Sequence, residues 1–512
     1  MNSKAKIKSV IITLGIFFAL LIIINSNLNF SVNNRDRNSV YSENIILDQE
    51  NLKLSNISEK ILISGNSGWF DFRNDGKCTG NGTYSDPYII KNLTIDAGNS
   101  GSCIWIENSN VYFKIENCTL INPGRAVNCS GIKLYNVDNG QLINNTLNSE
   151  NGAYGIYLEN SNNNNVKGNI IDNIIWGIRL SYSHNNNISE NIQNDGFEGI
   201  RIENSDDNNV SGNISNNNSI GILLQSSDDN TVSENIAKFN SDYGIRLMGG
   251  GRNIISGNNA SLNYVGIRIY SIQCNNILEN IFNNNNYGME FGWNNYYNNI
   301  LGNTINNNNY GGIDLESDNN NNNISGNTIN YNKFGIRLLR SDKNSITGNS
   351  VSYNDYGIRL SESDENSILR NTVNNNTNFG IDLTKSDNNI ILENTINNNS
   401  VGIYLYHSRS NEILNNSFSG NEVDIQEISE ETSFPFGIII TLVIVIIFVI
   451  IIVIGGMLVI RKRRISRKQV ISDRKLVRDK VRFKTTEIVP REKERQFEIE
   501  PEQIVQTQVE EE

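Results

Sequence analysis

Arginine, aromatic and carboxylate side chains recur at one position of a short motif that repeats along the sequence. The motif reads Gly, apolar, x, apolar, as in "GIRL" from Gly177 and "GIRI" from Gly199. An arginine fork can bind carboxylate or sulfate groups, and an aromatic ring can pack against a sugar ring. A row of such residues could therefore hold an anionic polysaccharide. The middle residues of successive motifs are Trp105, Lys133, Tyr157, Arg179, Arg201, Leu223, Arg246, Arg268, Glu290, Asp314, Arg337, Arg359, Asp382 and Tyr404.

Two interpretations of this row stay open. In the first, the row is a ligand-binding stripe made of its cationic and aromatic members. In the second, it is a ladder of neighbouring charges, with Arg268 beside Glu290, Asp314 beside Arg337 and Arg359 beside Asp382, and with arginine stems covering the sheet. The predicted ligand-binding residues are Trp105, Lys133, Tyr157, Arg179, Arg201, Arg246, Arg268, Arg337, Arg359 and Tyr404.

Catalytic groups are hard to find in this sequence. Glu290 and Asp314 would lie one turn apart, near the separation of a retaining glycosidase pair, but so would any two acids in adjacent turns. His184 and His407 are the only histidines, and ten motifs separate them. At about 4.8 Å per turn they cannot meet at one metal. The same scarcity of histidine argues against a Ser-His-Asp or Cys-His nucleophile. We therefore expect no catalytic residue and no copper site.

A calcium site is the one cofactor that the sequence leaves possible. Asp206 and Asp207 recur one motif later as Asp228 and Asp229, and Asp342, Asp364 and Asp387 form a similar series. Stacked carboxylates either hold a hard cation or lie on a solvated turn. We expect that Ca²⁺ could bind at Asp206, Asp207, Asp228 and Asp229.

Short strands must position these residues. Motif glycines from Gly155 to Gly402 are 22 to 24 residues apart, and apolar residues alternate with polar ones within each motif. Alternation over short runs indicates strands, and units of this size must stack to form a core. The predicted fold class is all-β: a right-handed parallel β-helix of about 14 turns, in which the motif's middle residues point outward in one row.

Asparagine forms two further rows. We expect each row to stack its amides along the axis and its residues to adopt the left-handed backbone conformation at the corners. These asparagines are therefore predicted to be architectural. The first row is Asn164, Asn186, Asn208, Asn230, Asn253, Asn275, Asn298, Asn322, Asn344, Asn366, Asn389 and Asn411, and the second is Asn169, Asn191, Asn213, Asn235, Asn258, Asn280, Asn303, Asn327, Asn349, Asn371, Asn394 and Asn416.

With these motifs the sequence resembles the NosD-like, carbohydrate-binding and sugar-hydrolase type of β-helix surface protein. The stretch "GNGTYSDPYIIKNLTIDAG" from Gly80 is similar to the usual entry of such domains, and "VYFKIENCTL" and the Gly-Ile-x-Leu turns follow it. The resemblance covers about residues 62–424. The resemblance implies the fold. It does not imply one function, because the family includes copper-delivery accessories, polysaccharide enzymes, adhesins and S-layer-like proteins.

Apolar segments flank the repeats. Val10 to Ile24 follows three lysines and is typical of a secretion signal or a retained signal anchor, an alternative that stays open. Phe436 to Ile460 is long enough to span a membrane. Arg461 and Lys462 follow it, which favours a C-terminus on the cytoplasmic side. The predicted organisation is a signal or anchor at 1–30, a linker at 31–61, a β-helix at 62–424 with an N-terminal cap at 62–102, a stalk at 425–435, a transmembrane helix at 436–460 and a charged cytoplasmic tail at 461–512.

Four cysteines, Cys78, Cys103, Cys118 and Cys129, crowd into the N-terminal part of the repeats, and Cys274 stands apart. We expect two disulfides among the four, with the pairing open.

These observations predict a cell-membrane protein whose β-helix lies outside the cell and binds a glycan or another surface partner without catalysis. A polysaccharide lyase, hydrolase or epimerase on the same scaffold is the alternative, and a structural spacer is the third. We expect no nucleic-acid partner.

Overall fold

The computed structural model describes residues 57–149, 152–428 and 444–463. The chain divides into two units, residues 1–428 and 429–512. The first unit is a right-handed parallel β-solenoid of about 15 turns, as the sequence predicted. The predicted signal or anchor at 1–30, residues 31–56 of the predicted linker at 31–61, most of the stalk, residues 436–443 of the predicted transmembrane helix and most of the tail lie outside the described residues.

A long sheet of 16 parallel strands carries the Gly-apolar-x-apolar motifs. Three of its strands lack the motif glycine. One of them, Ile104–Ser109, has Cys103 at that position and is counted among the motifs, whereas counting motifs misses the first and the last strand. Its strands are Ile61–Ser64, Ile104–Ser109, Ser130–Val137, Tyr154–Glu159, Trp176–Ser181, Glu198–Glu203, Ile220–Gln225, Tyr243–Met248, Val265–Tyr270, Tyr287–Phe291, Gly311–Glu316, Phe334–Leu339, Tyr356–Ser361, Phe379–Thr384, Val401–Tyr406 and Val423–Ile428.

A second sheet of 15 parallel strands follows the corner after the long sheet. Most of its strands are three residues long. They are Tyr88–Lys91, Phe113–Glu116, Gly140–Ile143, Asn165–Lys167, Asn187–Ser189, Asn209–Ser211, Thr231–Ser233, Ile254–Ser256, Asn276–Leu278, Asn299–Leu301, Asn323–Ser325, Ser345–Thr347, Ser367–Leu369, Ile390–Leu392 and Glu412–Leu414.

The third side of the solenoid is formed by a sheet of seven strands and a sheet of six. Isolated bridges through Ile236, Asn259 and Ile281 connect the two. The strands are Ile57–Ser58, Thr94–Asp96, Thr119–Ile121, Thr146–Asn148, Ile170–Asp172, Ile192–Asn194 and Ile214–Asn216, then Thr304–Asn306, Thr328–Asn330, Ser350–Ser352, Thr372–Asn374, Thr395–Asn397 and Ser417–Ser419.

One apolar core runs along the axis. Ile178, Leu180 and Ile188 point inward and are buried, as their alternation with polar residues predicts. The motif glycine allows neighbouring turns to approach closely, because a Cβ atom at Gly177 would lie 2.4 Å from the carbonyl oxygen of Gly199. At the N-terminal end, the helix Gly65–Asn74 packs Trp69 against the rings of Tyr88 and Phe113 and closes the core.

The two predicted asparagine rows are buried ladders. The Oδ1 atom of Asn191, for example, accepts hydrogen bonds from the backbone N–H and the side-chain amide of Asn169, both at 2.9 Å. The expectation that these asparagines adopt the left-handed conformation is wrong. The residue before each of them has the positive φ, such as Asn163 at 55° and Gly168 at 66°. A third ladder, from Asn218 to Asn421, lies at the remaining corner.

The described part of the second unit is the helix Ile444–Arg463, which has a mean hydropathy of 3.1 over its most apolar window. Its 20 residues would span about 30 Å at about 1.5 Å per residue, the thickness of a hydrocarbon core. By length and composition it fits a membrane span, and it overlaps the segment 436–460 for which the sequence predicts one.

Candidate functional site

The predicted row is one continuous line on the outer face of the long sheet. Strand pairing places Arg179 beside Arg201 and Arg337 beside Arg359 on adjacent turns. The same register holds at each step from Trp105 to Tyr404. The outward residues therefore form one row, and binding of a ligand by this row stays a prediction.

At the N-terminal end the row is covered. Lys133 is 3% exposed and Tyr157 is 7% exposed. The Nζ atom of Lys133 lies between the rings of Trp105 and Tyr157, at 5.1 and 5.0 Å, and pairs with Glu159 at 3.1 Å. Burial raises the pKa of Tyr157 to about 12. These side chains bind one another, which leaves ligand contacts to the rest of the row.

Most cations of the row have a carboxylate partner. The three predicted pairs form: Arg268 with Glu290, Asp314 with Arg337 at 2.7 Å, and Arg359 with Asp382 at 3.2 Å. The like-charged neighbours Arg179 and Arg201 share a carboxylate that sequence reasoning missed, since Glu203 lies 2.6 Å from the first and 3.3 Å from the second. Its signal was its place two residues after Arg201, which puts both on the outer face.

Arg246 is the exception in this row. Among the described residues no carboxylate lies within ion-pair distance of its guanidinium group. Its turn neighbours are Leu223 and Arg268, and its guanidinium carbon lies 4.9 Å from the centre of the Tyr243 ring. Since Glu290 is the partner of Arg268, Arg246 is the cation of the row that remains available to an anion.

A row of aromatic rings runs beside the charged row and was missed in the sequence. It occupies the position just before the motif glycine, where "WGIRL", "YGIRL" and "FGIRL" signal it. The rings of Phe334 and Tyr356 stack at 5.1 Å, and the guanidinium of Arg359 lies 5.0 Å from the Tyr356 ring. Its aromatic members are Tyr154, Trp176, Tyr243, Tyr287, Phe334, Tyr356 and Phe379.

Exposed rings on both sides mark the middle of the sheet. Tyr270 and Trp293 are 38% and 57% exposed, and their ring centres lie 6.3 Å apart on adjacent turns. Gly292 makes room for Tyr270, because a Cβ atom there would lie 2.7 Å from that ring. On the opposite side lie Tyr264, Tyr287 and Tyr310. We call this surface the central groove, defined by Arg246, Arg268, Glu290 and the rings of Tyr243, Tyr264, Tyr270, Tyr287, Trp293 and Tyr310.

The carboxylates of the row are sheltered. Asp314 is 1% exposed, and both of its oxygens accept hydrogen bonds from Arg337 at 2.7 Å. Burial raises its pKa to about 6, with Glu316 and Glu290 adding to the effect and Arg337 opposing it. Asp314 and Glu290 are on adjacent turns, but each is bound to an arginine. In this arrangement the two acids hold cations, and neither is presented to a sugar.

The stacked aspartates belong to a corner ladder. The side chain of Asp206 accepts a hydrogen bond from the backbone N–H of Asp228, at 2.8 Å, and Asp228 accepts one from Gly251 at 2.7 Å. Arg252 also pairs with Asp228 and Asp229, at 3.2 and 2.6 Å. The corner ladder consists of Asp138, Asn162, His184, Asp206 and Asp228, and resumes with Asn320, Asp342, Asp364 and Asp387.

This ladder gives the aspartates a structural role. A calcium ion at Asp206, Asp207, Asp228 and Asp229 would compete with the backbone N–H groups and with Arg252. Across residues 57–149, 152–428 and 444–463 no cluster of three or more His, Cys, Asp or Glu side chains could hold a metal ion. The calcium site stays a prediction that this geometry does not favour.

The predicted disulfides are absent. All five cysteines lie in the described residues and are free thiols. Burial raises the pKa of Cys78 to about 11 and that of Cys103 to about 12. Cys103 occupies a position of the motif glycine, and the backbone N–H of Cys118 donates to Asn145 in an asparagine ladder. Cys78, Cys103, Cys118 and Cys129 are buried, whereas Cys274 is exposed.

The family model described as "Periplasmic copper-binding protein (NosD)" matches residues 113–299, 275–382 and 317–434. No curated protein matches the chain. Among solved structures, the periplasmic alginate epimerase AlgG is 16% identical over 70% of this chain and 83% of its own, with a TM-score of 0.37. An exopolygalacturonase from Thermotoga maritima is 10% identical over 58% of this chain and 89% of its own, with a TM-score of 0.33.

The copper of the family description does not fit the described residues. The imidazole Nδ1 of His184 accepts a hydrogen bond from the backbone of Asp206, and His407 packs against the ring of Tyr406 ten turns away. Met289 is buried in the core. Soft sulfur and imidazole ligands, which copper prefers, are therefore not brought together here. By its solenoid fold and by a family match that covers more than half of its length, the chain belongs to the NosD family.

Proposed function

We propose that this protein binds an extended anionic polysaccharide in the central groove and does not cleave it. The observation that carries the proposal is Arg246, the cation of the row that has no carboxylate partner in the described part of the chain. An arginine fork without an internal partner can bind a uronate carboxylate or a sulfate in two parallel hydrogen bonds. A partnered arginine such as Arg337 would first have to release Asp314.

The aromatic rings support a sugar ligand. Trp293 and Tyr264 are about half exposed and lie on opposite sides of the charged row, where ring faces can pack against pyranose faces. Exposure of large apolar side chains to water is unfavourable, so a cluster of exposed rings on one surface is typical of a binding site. Their spread over successive turns, about 4.8 Å apart, favours a chain ligand that lies along the axis.

Binding without cleavage follows from the state of the acids. Glu290 is held by Arg268, and Asp314 is held by Arg337 beneath the surface. General acid or base catalysis requires a carboxyl group within hydrogen-bond reach of the substrate. The same ion pairs stabilise the scaffold, so the two acids serve the fold in this proposal.

The setting of the proposed site is the cell surface. The helix Ile444–Arg463 fits a membrane anchor, and the solenoid would then stand outside the cell, with the C-terminal tail inside. A rod of stacked turns would present its long sheet to polymers in the surrounding matrix.

Binding of an oligogalacturonate to the full-length chain in detergent micelles tests the proposal. Arg246→Ala should weaken binding about 10- to 100-fold, the usual size of a charge-assisted hydrogen bond. Arg370→Ala is a matched control, because Arg370 is an exposed arginine at a distant corner, paired with Glu393. It changes the net charge equally and should leave affinity unchanged. Equal losses in the two variants would indicate nonspecific attraction and would contradict the proposal.

The same assay separates the alternatives. Release of unsaturated or reducing ends from a polyuronate would favour a polysaccharide-active enzyme. A wild-type chain that binds neither an anionic nor a neutral glycan would favour a structural spacer.

A further inference from the structure

A cavity of ≈ 500 Å³ lies at the corner beyond the central groove. It occupies the gap in the corner ladder, where Gly251, Gln273 and Tyr296 replace the Asp, Asn and His acceptors of the other turns. Backbone bridges connect Gly251 to Gln273 and Gln273 to Tyr296, so the column of residues continues while its side-chain ladder stops. The cavity is a consequence of this local change in sequence.

Glycine shapes the entrance of the cavity. A Cβ atom at Gly250 would lie 2.4 Å from the carbonyl oxygen of Ser227, and the residue has a φ of 84°. The segment Gly249 to Gly251 therefore lies flat against the preceding turn, and the floor of the cavity is the buried Ile272. A volume of this size is within the usual range of about 300–1,000 Å³ for small-ligand sites.

The lining of the cavity is polar and close to neutral. Its two charged residues, Asp228 and Arg252, pair with each other at 3.2 Å. The other polar side chains of the lining are uncharged: Ser271, Gln273, Cys274, Asn294 and Tyr296. Such a lining suits a ligand with several hydroxyl groups and no net charge, because a charged ligand would have no counter-ion there.

The cavity begins where the central groove ends. Tyr270 and Trp293, at the edge of the groove, are each followed in the chain by a residue that lines the cavity, Ser271 and Asn294. We call these two rings the wall. A polymer that lies in the groove would pass the wall, and a side group on that polymer could reach over it. A cationic surface that could hold a polysaccharide backbone therefore lies next to a neutral cavity that could hold a single sugar.

We propose that the cavity is a subsite for a neutral hexose branch of the anionic polysaccharide. The inference rests on the proposed function of the central groove and names its ligand more closely: a branched acidic glycan. The backbone of the glycan would place a carboxylate at Arg246, and the branch would cross the Tyr270 and Trp293 wall.

The test compares two probes on the full-length chain: a linear polyuronate oligosaccharide and the same backbone carrying single neutral hexose branches. Ser271→Tyr should fill the mouth of the cavity. A tyrosine is compatible with this backbone, because Tyr182 occupies the same corner position four turns earlier with a φ of 49°, compared with 53° at Ser271. Asn204→Tyr places the same ring at that column away from the cavity and serves as the control.

Wild type should bind the branched probe about tenfold more tightly than the linear one, and Ser271→Tyr should abolish that difference without changing affinity for the linear probe. Asn204→Tyr should behave as wild type. If Ser271→Tyr binds both probes as wild type does while Arg246→Ala weakens both, the branch subsite is overturned and the groove stands. If wild type binds neither probe, the groove and the subsite both fail.

Discussion

The turns at the C-terminal end of the long sheet differ from those in its middle. In the strands from Phe334 to Thr384 each outward arginine is paired, the rings of Phe334 and Tyr356 are stacked and the corner ladder is continuous. In the strands from Tyr243 to Phe291 one arginine lacks a carboxylate, several rings are exposed and the corner ladder stops. The backbone register is the same in both regions.

This difference separates stability from recognition. A polar group that is paired along the axis stabilises the solenoid and offers little to a ligand, because a ligand would have to replace its partner. A group without a partner contributes little to the fold and can bind without that cost. The regular turns are therefore the scaffold, and the interrupted turns are the surface where we place the glycan.

Arg337→Ala should have the largest effect on the regular turns. It removes the guanidinium that holds both oxygens of the buried Asp314. Breaking a buried pair by removing one partner costs about 3–5 kcal/mol, because the remaining charge is left without compensation. The free energy of unfolding, measured by denaturant titration at pH 8, should fall by that amount. A loss below about 1 kcal/mol would mean that the pairing of the row does not support the scaffold.

Asn349→Ala should have the next largest effect. The Oδ1 atom of Asn349 accepts from the backbone N–H and the amide of Asn327, at 2.9 Å each, and its own amide donates to Ile324 and Asn371. Buried donors left without acceptors cost about 1–3 kcal/mol each, so the loss should be about 2–4 kcal/mol in the same titration. Asn378→Ala, at an exposed corner, should change stability by less than about 0.5 kcal/mol. Equal effects of the two substitutions would contradict the structural role of the ladder.

The pH dependence of stability should show the sheltered acid directly. The pKa of Asp314 is raised to about 6 in the fold, above its ordinary value of 3.8, so the folded chain holds that proton more tightly than the unfolded chain. The stability that the proton provides is present at low pH and is lost as pH rises from about 4 to about 6. Wild type should therefore lose roughly 2 kcal/mol over that window relative to Asp314→Asn. Parallel curves for the two chains would show that the pKa of Asp314 is not raised.

Much of the scaffold could be predicted from sequence, because its causes repeat. Inward isoleucines and buried asparagines recur in nearly every turn, so strand register, the outward row and the pairs Arg268 with Glu290 and Arg359 with Asp382 follow from spacing alone. The expectation for the left-handed corners was wrong by one residue, since the hydrogen bonds of the ladder place the amide after the corner. The prediction of two disulfides was wrong, because cysteines that are close in the sequence need not have their sulfur atoms within bonding distance in the fold.

The candidate site could not be predicted in the same way, because it is defined by departures from the repeat. That Arg179 shares Glu203 with Arg201, whereas Arg246 has no such partner, depends on diagonal contacts between turns. The cavity depends on residues at the same corner of three successive turns, Gly251, Gln273 and Tyr296, which lack the usual side-chain acceptor. Departures of this kind look like noise in a sequence, and only the stacked turns bring them together.

Arg246→Ala should have the smallest effect on stability, and it sharpens the comparison most. Arg246→Ala and Arg337→Ala replace residues at the same position of the motif, and both remove one positive charge and the aliphatic part of an arginine side chain. Because no carboxylate is left unpaired, the free energy of unfolding should change by less than about 0.5 kcal/mol, with only the contact to the Tyr243 ring lost. A large loss would show that Arg246 serves the scaffold as Arg337 does. A stable variant that no longer binds oligogalacturonate would locate recognition in the interrupted turns, since binding and stability would then depend on different members of one row.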